Sequence, residues 1–471
     1  MNDSILFWNE IALEANRVSH TDGSREQNGP TRSSRALAIV HLAMYDAYAG
    51  VATDQNLPPY LPGLPKPEAG ASAKAAVAAA AHATLSNLFP SQGGFFDSIL
   101  AGVGDTSNPG HNFGLIVAQK ILEDRNNDPI ANAGNYKPSL ARGKHRVDPD
   151  NPNQGFDAPF YGARSKGFAI TKRHELEKPP FDDNEYLQAL RQVRGKGIAP
   201  ELTGTLPDNI EARTVDETLI GIFWAYDGVP GLGTPPRLYN QIVRRVAIAK
   251  GNTEAQNARL FALVNVAMGD AGILAWDQKY IHQLWRPVVG VREHDKSIGP
   301  AATEANNNIS DDGDPQWLPL GAPATNSLSL MRKNFTPNFP AYPSGHATFG
   351  AAALHITRLF YGIPSGDRNP DSLFTNLDFV SDEFNGRNQD NRGTVRPRHR
   401  RKFNNGLWRM IIENGRSRVY LGVHWVFDAF AVKDNNQVDL SRNVGGVPLG
   451  LTIAEDIFSN GLKKSTVGPR K

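Results

Sequence analysis

The sequence has no cysteine and only 5 methionines in 471 residues. The first absence excludes disulfides, thiolate metal sites and cysteine nucleophiles. The second leaves little easily oxidised sulfur, which suits a protein that makes a strong oxidant and is equally consistent with drift or an oxidising compartment. An excess of charge of either sign is also missing, since 50 basic and 48 acidic residues leave a net charge of +2. That balance argues against partnership with nucleic acid or a membrane surface. Alternating apolar and polar runs are scarce, so little sheet is expected. The most apolar stretch, Leu260 to Trp276, is interrupted by Asn265 and Asp270 and reads as too polar and too short to span a bilayer. The N-terminus lacks a basic leader region, and Ile5 to Arg17 carries Asn9, Glu10 and Glu14, so no signal peptide is evident and a soluble protein is expected.

What is present is helical periodicity. Ile5 to Arg17, Arg32 to Tyr48, Ser72 to Phe89, Phe113 to Arg125, Val215 to Tyr226 and Pro236 to Lys250 read as helices. Leu238, Ile242 and Val246 recur every four residues as a buried stripe. Ala258 to Trp276 is apolar nearly all round and predicts a central, enclosed helix. His346 to Phe360, Phe403 to Glu413, Trp425 to Val432 and Ile453 to Leu462 complete the set. The expected fold class is all-α, two four-helix bundles in tandem with long connecting loops. The chain is longer than one simple core supports, so a single unit over 1–471 is expected in two helical halves, about 1–200 and about 201–471. Three polar stretches, Asn126 to Lys172, Glu293 to Pro343 and Gly362 to Lys402, are long enough to be either functional or mobile.

Chemistry concentrates in three short segments. In Pro343-Ser344-Gly345-His346, Ser344 is a good helix N-cap and Gly345 permits close backbone approach. The free N–H groups of such a helix start can hold an anion, although a plain cap is the commoner meaning. Lys279 and Arg286, followed by Pro287, lie two helical turns apart and are expected on one helix face. Paired cations usually mark a solvated face. Here they continue an apolar helix, where unpaired charge is costly and a bound anion would balance it. Arg418 and His424 are separated by Gly422, which can end a helix and bring them together. His424 and Asp428 are i, i+4 partners if Trp425 onward is helical, either an ordinary surface pair or a carboxylate fixing the imidazole tautomer. Together the segments offer three fixed cations, a Ser-Gly turn and two histidines, an inventory for holding a tetrahedral oxyanion.

These segments resemble the signature of the acid phosphatase and vanadium haloperoxidase superfamily. The run from Phe335 to Gly350, together with Gly233 to Arg245, Ile5 to Asn9, Gly422 to Trp425 and Gly445 to Gly450, is similar to the fungal-type chloroperoxidase branch along essentially the whole chain. The resemblance implies vanadate as cofactor, with hydrogen peroxide, a halide (chloride or bromide) and an organic acceptor as reaction partners. It implies that Lys279, Arg286 and Arg418 bind vanadate oxygens, with Ser344 and the Gly345 N–H. It further implies His424 as the direct axial ligand, His346 as the acid–base residue, Trp276 and Phe339 as halide-side aromatics, and Asp227 paired with Arg418. The alternative from the same superfamily is an acid phosphatase with His424 as nucleophile. A third reading is an oxyanion-binding protein without turnover. Fold and cradle alone do not choose among them.

Other signals are weaker. Ser310 to Asp314 looks like a calcium loop but lacks the twelfth-position glutamate. The basic run Arg396 to Lys402 is expected to be solvated. His41, His82, His282 and His355 form no metal-ligand spacing and are expected to be structural.

Overall fold

The computed structural model describes residues 3–130, 136–228, 230–305, 312–323, 336–390 and 394–470. Its helices are α1 (Ser4–Ser19), α2 (Gly29–Ala52), α3 (Ala73–Leu88), α4 (Gly93–Val103), α5 (Pro109–Asp124), α6 (Tyr161–Arg164), α7 (Asn184–Lys196) and α8 (Val215–Phe223). The second half adds α9 (Pro235–Lys250), α10 (Glu254–His282), α11 (Pro287–Arg292), α12 (Gly345–Phe360), α13 (Gly406–Tyr420) and α14 (Gly446–Ser459). Strand structure among the described residues is confined to two antiparallel ribbons. Asp378–Val380 pairs with Arg400–Lys402, and Ala431–Val432 with Val438–Asp439. The fold is all-α, as the periodicity implies.

Local chemistry explains where the long helices begin and end. Thr253 and Gln256 form a reciprocal capping box at the start of α10. Prolines open α9, and Gly251 closes it in the left-handed conformation. The stripe Leu238, Ile242 and Val246 is fully buried. α10 is enclosed on every side from Leu260 to Ala275. By length and composition alone α10 could cross a membrane, but 94 % of its most apolar window is buried inside the protein. It therefore acts as a core helix, longer than the sequence pattern implies.

α10 is the shared wall of the molecule. On one side it packs against α2, which in turn meets α3 and α5; on the other it meets α12 and α14. Small residues let α12 and α14 approach closely. A Cβ on Gly450 would lie 2.4 Å from the Thr348 carbonyl oxygen, so only glycine fits there. The end of the polar stretch after α5 is tied to the core. Asp270 of α10 accepts hydrogen bonds from the backbone N–H groups of Phe168, Ala169 and Ile170 at 2.6, 2.8 and 3.0 Å. A buried carboxylate with three donors replaces the solvation it loses.

Several sequence expectations need correction. Trp425 to Val432 is not a helix. It is a 3₁₀ turn over Val426–Asp428 followed by a two-residue strand. The last helix is Gly446–Ser459 rather than one starting at Ile453, because Gly445 with φ +88 supplies the turn that starts it earlier. α4 and α7 were not expected. α4 buries little beyond Phe96, so its pattern is weak. α7 is short and rich in charge and was hidden beside a polar stretch. Residues 310 and 311 of the calcium-like run, and Phe335 of the motif before α12, lie outside the described residues.

Candidate active site

Four backbone devices bring the three segments together. α10 ends at His282, and Gln283 turns left-handed at φ 53. Arg286 is therefore not on the face of α10 that carries Lys279. It is the N-cap of α11, delivered by an extended link. The two cations converge through that turn and not through a helical repeat. Ser344 caps α12, its Oγ accepting from the Ala347 N–H at 3.4 Å, and its own N–H donates to the Asp428 carbonyl at 2.7 Å. Gly422, with φ +72, follows α13 and returns the chain so that His424 comes back toward Arg418.

A Cβ on Gly422 would lie 2.5 Å from the Gly197 carbonyl oxygen. Gly422→Ala is thus strained in conformation and blocked in space. It is expected to lose at least about 1–3 kcal/mol of stability, read as a lowered denaturant midpoint.

The cations are buried and differently engaged. Lys279 Nζ donates to the carbonyls of Pro340, Ala341 and Pro343 at 2.8, 3.1 and 2.5 Å. All three of its hydrogens are taken up by backbone carbonyls. Arg286 Nε donates to the Phe339 carbonyl at 2.8 Å, and Nη1 reaches the Val423 carbonyl at 2.7 Å and His424 Nε2 at 2.9 Å. Arg418 Nη2 donates to Asp227 Oδ1 at 2.7 Å. Arg286 Nη2 and Arg418 Nε and Nη1 are buried donors with no partner among the described residues. Orphaned guanidinium donors in the protein interior are costly unless a ligand accepts from them.

The histidines face the same space. His424 Nδ1 lies 2.7 Å from Asp428 Oδ2, which also accepts from the Trp425 N–H at 3.0 Å. The pair forms without a helix, because the 3₁₀ turn folds Asp428 back onto His424. His346 Nε2 lies 2.5 Å from the Ala225 carbonyl oxygen and 3.8 Å from Asp227 Oδ1. Its own carbonyl accepts from Tyr239 and Asn414 at 3.0 and 2.8 Å, which fixes the first turn of α12. Trp276 and Phe339 pack at 4.8 Å between ring centroids, and Gly345 sits close under Trp276.

Crowded positive charge dominates the electrostatics. Burial, then Arg286, holds the Lys279 ammonium well below its ordinary range. Burial pushes the Arg286 guanidinium down to about 9. Both site histidines are held well below the ordinary imidazole value, by burial first, then by Arg418 for His346 and by Arg286 for His424. Burial raises Asp428 to about 7, opposed by Lys279 and Arg286, and also raises Asp227, opposed by Arg418. Two carboxyl groups among so many cations leave a surplus that a multivalent oxyanion would neutralise.

A cavity of about 710 Å³ opens onto this pole, lined there by Trp276, Phe339, Gly345, His346, Arg418 and His424. Its other end is walled by residues that carried no sequence signal, among them His20 and Asp157, because they lie in polar connecting segments. The remaining histidines are engaged elsewhere: His41 with Asn9, His82 with Asp97 and His355 with Glu455. His282 is half-buried beside Gln278, outside the cavity wall. The basic run is largely paired, Arg396 with Glu383, Arg400 with Asp378 and Arg401 with Glu413. No cluster of three or more histidine, aspartate or glutamate ligands occurs among the described residues.

Comparison with known proteins matches this picture. Residues 1–94 match the family model of the vanadium chloroperoxidase N-terminal domain, and residues 259–446 that of the VCPO second helical-bundle domain. Vanadium chloroperoxidase of Curvularia inaequalis is 36 % identical, over 98 % of this chain and 90 % of its own. Among solved structures, one described as the first bacterial vanadium-dependent iodoperoxidase aligns with a TM-score of 0.67 at 19 % identity, covering 96 % of this chain and 95 % of that one. An apo-type bacterial vanadium-dependent chloroperoxidase aligns at 0.59 and 15 % identity, covering 92 % and 95 %. At such identities the two structures speak for a shared fold alone.

Proposed function

The chain belongs to the vanadium chloroperoxidase family, and from that premise we propose how its residues divide the work. It is a vanadate-dependent haloperoxidase, an enzyme that oxidises a halide with hydrogen peroxide to hypohalous acid. The observation that carries the assignment of roles is the set of orphaned guanidinium donors on Arg286 and Arg418 beside His424, whose Nε2 faces Arg286 Nη1 at 2.9 Å. These groups fit a tetrahedral oxyanion and would suit no bare metal cation.

Arg286 and Arg418 would donate to vanadate oxygens, with the Ser344 hydroxyl and the Gly345 N–H at the start of α12. Lys279 would add charge at short range. His424 would be the protein's direct ligand, its tautomer set by Asp428. When bound, vanadate supplies a Lewis-acid centre that polarises peroxide toward attack by halide. His346 would hold and deliver the proton that the departing oxygen needs, steadied by the Ala225 carbonyl and Asp227. Asp227 would orient Arg418 through their hydrogen bond. Trp276 and Phe339 would form the halide's apolar wall, which supports chloride or bromide as the halide.

Loading with orthovanadate and assaying a phenolic dye with peroxide and chloride, bromide or iodide tests this function. Absence of turnover with all three halides would overturn it. Orthovanadate is also expected to raise the melting temperature, since a ligand at 100 times its Kd stabilises by about 2.7 kcal/mol. The acid phosphatase reading rests on the same cradle. It would require vanadate-free protein to hydrolyse a phosphate ester efficiently, with vanadate as an inhibitor.

A further inference from the structure

The cavity is far larger than peroxide and a halide require. Each needs a volume of the order of one water, roughly 30 Å³, against about 710 Å³ of cavity. Volumes of several hundred Å³ are typical of sites that enclose organic ligands. Beyond the cationic pole the wall changes character. Pro30, Pro152, Pro230, Pro235 and Pro337 give it rigid apolar surface.

Three acidic residues line the cavity, and they are not equivalent. Asp150 is held by Arg292 at 2.6 Å and Asp227 by Arg418 at 2.7 Å. Asp157 Oδ2, like Asp227 Oδ2, is shielded from solvent and meets no hydrogen-bond donor among the described residues, but Asp157 alone of the three has no arginine paired with it there. Its mount is rigid. The Asp157 N–H donates to the Asn338 carbonyl at 3.0 Å, and its carbonyl accepts from Tyr280 Oη at 2.7 Å. The carboxyl group is therefore anchored one residue from Phe339, over the first turn of α2, where a Cβ on Gly29 would lie 3.5 Å from Oδ2. Burial raises this carboxyl to about 6, with an opposing pull from Arg32.

The chemistry of this chamber narrows its occupant. A halide gains nothing from a carboxylate. A cationic molecule would be repelled by Lys279, Arg286 and Arg418 at the far end. A neutral molecule with a flat apolar body and one O–H donor satisfies both the proline wall and the Asp157 carboxylate.

We propose that the outer chamber is the subsite for the organic acceptor, and that it binds a neutral aromatic of the phenol class through a hydrogen bond from the ring hydroxyl to Asp157. This rests on the haloperoxidase reading of the inner pole. Hypohalous acid formed there meets the ring before it escapes. The oxygen–halogen bond breaks as the carbon–halogen bond forms, and the displaced ring proton leaves with the hydroxide as water.

The test is calorimetric titration of vanadate-loaded protein, without peroxide or halide, with phenol and with anisole, which lacks the donor. Phenol is expected to bind at least about tenfold more tightly than anisole, as a hydrogen bond to a charged acceptor supplies. Asp157→Leu is expected to lower phenol affinity to the anisole level while retaining vanadate and native circular dichroism. Equal binding of phenol and anisole by the wild type overturns the proposal without relying on any variant. Undiminished phenol affinity in Asp157→Leu overturns it as well. Triiodide formation from iodide and peroxide by the wild type separates the two readings. If it proceeds while phenol fails to bind, the subsite alone is wrong; if it is absent, the haloperoxidase reading falls.

Discussion

Replacing His424 with alanine is expected to abolish vanadate retention. Its Nδ1 donates to Asp428 Oδ2 at 2.7 Å, so the tautomer leaves the lone pair on Nε2, facing Arg286 Nη1 at 2.9 Å. Burial and the neighbouring cations hold the ring neutral, with its pKa well below the ordinary value. A neutral imidazole with one fixed lone pair is what a ligand bond needs. Without it the remaining groups make only charge-assisted hydrogen bonds, and the oxyanion exchanges freely. Asp428→Asn should weaken vanadate by about 10–100-fold, the usual effect of losing a ligand's orienting partner, and His424→Ala by more than that. Dialysis followed by metal analysis reads both. If His424→Ala retains vanadate as the wild type does, the ligand assignment is wrong.

Replacing His346 with alanine is expected to leave vanadate in place and to cut turnover by about 10²–10⁴-fold, the usual contribution of a general acid. His346 opens α12 on the cavity wall, with Nε2 at 2.5 Å from the Ala225 carbonyl and 3.8 Å from Asp227. In the protein alone its pKa is depressed by burial and then by Arg418. The imidazolium is therefore disfavoured at neutral pH until an anion offsets that charge. A bound oxyanion would offset part of that positive charge and favour the imidazolium, which would couple proton uptake to cofactor binding. The affinity of the His346 variant should accordingly lie near the wild-type value while its halogenation rate collapses. Equal loss of affinity in both histidine variants would mean that the two roles are wrongly divided. Unchanged turnover in His346→Ala would remove the acid–base role.

The two histidines were legible because each sits in a short motif whose residue types are unusual together. Much of the helical core was legible for a different reason. Leu238, Ile242 and Val246, and the apolar run before Trp276, repeat with the period of one helix face and are buried for that reason. Arg286 shows where such reasoning stops. Seven residues from Lys279 implied a shared helix face, yet the left-handed Gln283 ends α10 first. Convergence at the site depends on a turn, and periodicity does not report turns. His424 and Asp428 meet likewise, through a 3₁₀ turn in place of the expected helix.

By itself, then, the sequence determined the all-α class, the enclosed helix α10 and the short motifs from which the candidate site is built. Those properties follow from residue identity and local period. Only the tertiary structure decided that all three Lys279 hydrogens go to backbone carbonyls and that, among the described residues, Arg286 and Arg418 keep donors without partners and Asp157 stands unpaired in the outer cavity. Whether a buried polar group is satisfied depends on neighbours distant along the chain, such as Lys279 with Pro343 or Arg418 with Asp227, and no local pattern encodes those pairings.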